Sequence, residues 1–121
     1  MDERLQHMCL TMCDPAEAGL LATNEGYFYA LFPMTIIGIS VAPLEDDPGA
    51  LLGIDDDTAN VITGIDASDA NVPGTWATPM CKGQEKPVYI AEGSLMSFDF
   101  TDAAAGNTFY IHIWYLIGEL L

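Results

Sequence analysis

The last fourteen residues, Thr108–Leu121, read Thr-Phe-Tyr-Ile-His-Ile-Trp-Tyr-Leu-Ile-Gly-Glu-Leu-Leu and constrain the fold more than any other stretch. Successive side chains of a strand point to opposite faces. Phe109, Ile111, Ile113, Tyr115 and Ile117 therefore face one way, and Tyr110, His112, Trp114 and Leu116 the other. Both sets are apolar or aromatic. An antiparallel strand in a lone small domain usually keeps one face wet, so this one asks for cover on both sides. In a chain of 121 residues another subunit is one source of that cover.

The rest of the chain is punctuated regularly. Strands are expected near Tyr27–Leu31, Thr35–Leu44, Ala50–Ile54, Asn60–Ile65, Thr75–Thr78, Val88–Ala91, Leu95–Thr101 and Thr108–Ile117. Between them lie segments such as Glu45-Asp-Asp-Pro-Gly, Asp55-Asp-Asp-Thr and Glu92-Gly-Ser, rich in the residues that turns demand. About eight short strands at this spacing predict an all-β domain over residues 26–121, an antiparallel, jelly-roll-like β-sandwich.

Residues 1–25 read as a short helical N-terminal arm. Leu5, Met8, Cys9 and Met12 fall at i, i+3, i+4 and i+7, one apolar stripe on a helix. Asp14, Pro15 and Glu17 then occupy N-cap, N1 and N3 of a second short helix. Neither is long enough to hold in water by itself. The arm, residues 2–23, must dock on its own sandwich or on a neighbour, and its removal is expected to abolish attachment while the sandwich still folds.

Charge narrows the partners. Three Lys and Arg residues stand against eighteen Asp and Glu, a net charge of −15, while half the residues are hydrophobic. High charge with low hydrophobicity would mean disorder; here the second condition fails, and a folded protein with an acidic skin is expected. Arg4, Lys82 and Lys86 are too few and scattered to neutralise phosphates, which argues against nucleic acid and anionic membrane as partners. Like-charged copies repel, so any homo-oligomer is expected to rest on apolar contact, salt screening or bound cations. The N-terminus has no basic start followed by an apolar run, and no stretch approaches the ~20 apolar residues of a spanning helix. Cys9, Cys13 and Cys81 make an odd, unframed set, the pattern of reduced thiols made in a cytosol.

Several constellations invite chemistry. The acidic turns bring Asp55, Asp57 and Asp66 to loop positions one, three and twelve, candidates for calcium. The run fails as an EF-hand because Asn60 stands where glycine is needed and Ala59 replaces a ligand; solvated turns are the plainer reading. His7, Cys9, Cys13 and Cys81 are conceivable zinc ligands, although Cys-x₃-Cys equally suits two thiols packed on one helix face. His112 would need a nucleophile and an orienting acid to act as a base, and Ser94, Ser97 and Asp99 are candidates only in the sense that any sequence offers some, so a packed or interface histidine is the plainer reading. Trp76 reads as a core or interface anchor, with a sugar platform as its functional alternative. The run Tyr27-Phe-Tyr29-Ala-Leu-Phe32 is apolar on both faces, as subunit contacts are. Leu5, Met8, Met12, Tyr27, Tyr29, Phe32, Trp76, Tyr110, His112 and Trp114 form the expected contact set. No catalytic residue and no cofactor is assigned.

Between Met34 and Leu116 the features come in a distinctive order. A strand starts at Pro33-Met-Thr-Ile and runs Ile36-Ile-Gly-Ile-Ser-Val-Ala-Pro; Pro48-Gly-Ala-Leu leads to Ile54-Asp-Asp-Asp-Thr-Ala-Asn; Gly74-Thr-Trp follows. Then come Pro87-Val-Tyr-Ile-Ala-Glu-Gly-Ser-Leu-Met-Ser-Phe-Asp-Phe-Thr and the closing strand. This order resembles a β-sandwich module of accessory proteins in tailed-phage virions, over about two thirds of the chain. The resemblance implies a non-enzymatic protein made in the host cytoplasm. It would sit on the outer surface of the virion capsid as a decoration or cement protein, a trimer bound to the major capsid protein. The alternatives are a tail, connector or fibre-associated sandwich, and a carbohydrate- or cation-binding module.

Overall fold

Alternation of apolar and polar side chains builds nearly every element. The computed structural model describes residues 5–13, 25–57, 59–104 and 106–119. Their strands are β1 (Leu5–Cys13), β2 (Glu25–Tyr29), β3 (Met34–Pro43), β4 (Leu51–Asp56), β5 (Ala59–Asp66), β6 (Gly74–Ala77), β7 (Val88–Ile90), β8 (Leu95–Thr101) and β9 (Thr108–Ile117). One turn of 3-10 helix, Pro79–Cys81, follows β6. The strands form two antiparallel sheets. The five-stranded sheet runs β1-β9-β3-β6, with β7 on β3 as well, and the four-stranded sheet runs β2-β8-β4-β5.

The inward faces of the two sheets meet in one hydrophobic core, so the molecule is sandwich-like. Ile36, Ile39 and Val41 of β3 and Phe109, Ile111 and Ile113 of β9 close against Leu52 and Ile54 of β4 and Phe98 and Phe100 of β8. The Phe100 and Phe109 rings meet across the sheets with centroids 4.4 Å apart.

The N-terminal segment overturns the helical expectation. Leu5–Cys13 is a strand that pairs with β9 without interruption, from Leu5 opposite Leu116 to Cys13 opposite Thr108. Met8 and Met12 are four apart, and a spacing of four fits both a helical turn and a strand's period of two. Leu10 breaks the tie: Met8, Leu10 and Met12 alternate onto the core, and Met12 is buried there. A short helix is marginal in water, whereas the open edge of β9 gives every residue of β1 a ladder partner. The second helix expected around Asp14–Glu17 lies outside the described residues.

The acidic turns use their carboxylates as acceptors for backbone N–H groups. Asp46 accepts from Ala70, Asp57 from Leu95, Asp66 from Ser68 and Asp69 from Asn71. Asp47, buried, accepts from the N–H of Ala104 at 2.9 Å and from the Asn107 amide at 3.1 Å. The same Asn107 amide donates to the Glu45 carbonyl, and its oxygen accepts from the N–H groups of Glu45 and Thr108. Two loops far apart in sequence are thereby stitched together at one end of the sandwich.

Candidate binding face of the five-stranded sheet

Directly opposed residues of neighbouring strands share a face. Along the outward face of the five-stranded sheet, His7, Cys9 and Thr11 of β1 lie beside Trp114, His112 and Tyr110 of β9. These in turn lie beside Gly38, Ser40 and Ala42 of β3, and Ala77 and Thr75 of β6 extend the rows from Gly38 and Ser40. None of these residues carries a formal charge with histidine neutral, in a chain with eighteen acids. The outward face of the other sheet is built differently. Asp99 and Asp66 stand on it, through the pairs Gly53–Asp99 and Leu51–Asp66, and Asp55, although buried, shares their side of the sheet through the pair Asp55–Ser97. The molecule therefore has one uncharged aromatic face and one acidic face.

At the centre of the uncharged face the side chains form a stacked row. His7 Nε2 and His112 Nδ1 are 2.9 Å apart, so one ring donates a proton and the other accepts it. The two imidazoles are nearly parallel, with centroids 5.1 Å apart, and His7 stacks on the Trp114 indole at 4.9 Å. Cys9 Sγ approaches His112 Nε2 at 3.9 Å, and both Cys9 and Cys81 are free, exposed thiols.

Beside this row a groove of about 510 Å³ opens between Trp114, the β3 backbone around Gly38–Ser40 and the segment Cys81–Glu85. Its wall is tied down by backbone bonds. Thr78 N–H donates to the Ile37 carbonyl, Gly83 to that of Thr78 and Glu85 to that of Ala77. Gly83 is required by this packing, because a Cβ there would fall 1.9 Å from the Ala77 carbonyl oxygen. Trp76, half-buried, packs against the core from the β6 edge and also borders the groove.

The expected contact residues divide between surface and interior. Leu5, Tyr29 and Tyr110 are exposed, His112 and Trp114 are half-exposed on the uncharged face, and Met12 is in the core. Met8 and Phe32 pack against the core, and Phe32 stacks on Tyr115. The side chain of Tyr27 lies outside the described residues. Sequence reasoning treated His7 and Cys9 as possible zinc ligands and missed their partnership with His112 and Trp114. Once β1 is a strand, the i, i+2 spacing of His7 and Cys9 is the signal that finds it.

The other constellations are dispersed. Asp55 and Asp57 lie at one end of the β4–β5 hairpin, while Asp66 pairs with Leu51 at the other, ~13 Å along the strand by its rise per residue. Asp55 is buried with its Oδ1 lacking a partner among the described residues. Burial, and secondarily the Asp99 carboxylate, push its pKa above the ordinary range. Among the described residues no group of three or more His, Cys, Asp or Glu side chains is arranged to hold a metal ion. Ser97 and Asp99 stand on β8 in the opposite sheet from His112, whose hydrogen-bond partner is His7. Among the described residues no helix is long and apolar enough to cross a membrane. Comparison with models of known protein families, with curated proteins and with solved structures finds no match to this chain.

Proposed function

We propose that this protein is a structural accessory protein of a tailed-phage virion, bound to the outer surface of the capsid and reinforcing joints between major capsid subunits. The observation that carries the reading is the asymmetry of charge. A sheet face with no formally charged side chain, bordered by the uncharged strand β1, lies opposite a face and loops that hold the acids. A surface of this kind adheres on one side and is repelled on the other, so bound copies project their acids outward. Fold alone carries no function. The strand orders β1-β9-β3-β6 and β2-β8-β4-β5 are nonetheless those of two intertwined Greek keys, which supports a jelly roll with β7 as an added strand. Jelly rolls are a recurrent architecture of virus shells.

In this reading Leu5, Cys9, Tyr110 and His112 form the contact surface, and the bound form is a trimer. Each copy buries apolar area across a joint, worth ~25 cal/mol per Å² before association costs. Many such joints together resist pressure from packaged DNA. The test is absolute mass by light scattering at moderate salt, followed by co-sedimentation with tailed-phage capsids. A compact trimer that sediments with capsids is the expected result. A strict monomer that ignores capsids overturns the reading.

A further inference from the structure

The indole of Trp114 stacks with the imidazoles of His7 and His112 and also borders the groove. Strand β9 lies between β1 and β3, so the two register partners of Trp114 flank it from opposite sides. On the β1 side His7 stacks against the ring. On the β3 side stands Gly38, which has no side chain to offer. A glycine inside a strand costs conformational entropy and packing, and often marks a place where something approaches closely. Part of that space is taken by Cys81, since a Cβ at Gly38 would sit 3.3 Å from Cys81 Sγ and 3.6 Å from Trp114 Cε3. The remainder is the groove.

Its border is polar and balanced. Ser40 and Thr75 bring hydroxyls, Gln84 an amide, and Lys82 and Glu85 one charge of each sign. Donors and acceptors are both present, and neither sign prevails. The volume of about 510 Å³ lies in the range of small-molecule sites. The wall is held by the backbone bonds of the Thr78–Glu85 segment, so a ligand finds it formed.

We propose that this groove binds a neutral saccharide, one ring packed against the part of the Trp114 indole that lines the groove. A pyranose has an apolar face of C–H groups that suits the negative face of an indole. It also has an equatorial rim of hydroxyls that both donate and accept, the complement of Ser40, Thr75, Gln84 and Glu85. Anions are disfavoured by the net charge of −15. A cation is drawn by that charge but meets Lys82 at the rim. The groove occupies the β6 side of the uncharged face and shares Trp114, Gly38 and Ser40 with it; sugar binding is measured on the chain without capsids, so the two readings are tested separately.

The test is calorimetry on the whole chain with glucose, galactose, N-acetylglucosamine and choline chloride. Each is taken to ~100 mM, because a single-ring ligand binds in the millimolar range. The expected result is saturable heat with at least one sugar and none with choline. Affinity should fall at least tenfold in Trp114→Ala and severalfold in Gln84→Ala, an exposed loop change that leaves the melting temperature unaltered. Gly38→Ala, which narrows the floor, should weaken binding as well. No heat with any sugar, heat with choline alone, or sugar binding untouched by Gln84→Ala and Gly38→Ala overturns the proposal.

Discussion

Two buried aspartates do opposite things to stability. Asp47 accepts from the Ala104 N–H and the Asn107 amide. Asp47→Ala leaves the Ala104 N–H without this acceptor and the Asn107 amide with the Glu45 carbonyl alone, and is expected to cost about 2–3 kcal/mol in a urea unfolding curve. Asp47→Asn, which keeps one oxygen, should cost less. Asp55 has an oxygen without a partner among the described residues and feels the Asp99 carboxylate, diagonal to it on the ladder where Asp55 pairs with Ser97 and Gly53 with Asp99. Its folded pKa is raised, so the native state holds the proton more tightly than the unfolded chain does. Stability therefore declines as pH rises from the unfolded carboxylate value, about 3.9, through the folded one, and stays lowered above it. Asp55→Asn removes that penalty. At pH 7 its melting temperature should exceed the parent's. The difference should vanish near pH 3, where the parent carboxyl is neutral; a constant difference across pH would show that charge is not the cause.

At the scale of elements, the strands from β2 to β9 were legible because turn residues bracket them and period-two alternation runs between the brackets. The doubly apolar β9 was legible as a strand, and the reason for its second apolar side is now physical. Its inward residues fill the core, while Tyr110, His112 and Trp114 stand in a half-exposed aromatic row. What hid β1 was arithmetic: Met8 and Met12 satisfy both periods, and the pairing that decides between them joins residues 95 to 111 positions apart. The groove was hidden for the same reason. Trp114, Gly38 and Cys81 converge only after β3, β9 and the 3-10 turn assemble, and no local pattern announces that. The strand assignment changes what truncation must do. Deleting residues 1–13 strips the ladder from β9 and removes Met8, Leu10 and Met12 from the core. The truncated chain should unfold or aggregate below the parent's melting temperature, read by circular dichroism. A truncated chain that melts unchanged would mean that β1 contributes nothing to the fold.

For the whole molecule the decisive quantity is how the net charge of −15 is distributed. If copies meet through the uncharged face, the direct contact is apolar, but the acids elsewhere still repel across the assembly. At low ionic strength that repulsion reaches ~30 Å, and near 1 M salt only ~3 Å. Association should therefore strengthen with sodium chloride, and the mass by light scattering should rise from monomer toward trimer over that range. Contact through charge pairs would give the reverse, since salt would weaken them. Placement of the acids also sets where a substitution matters. Tyr110→Asp puts a negative charge into the uncharged face at an exposed position, and should abolish association at every salt concentration while leaving the melting temperature within a degree or two. Asp66→Asn, on the acidic face, should instead shift association to lower salt by removing one repelling charge. If Tyr110→Asp assembles like the parent, the uncharged face is not the contact, and the partner must be sought on another surface.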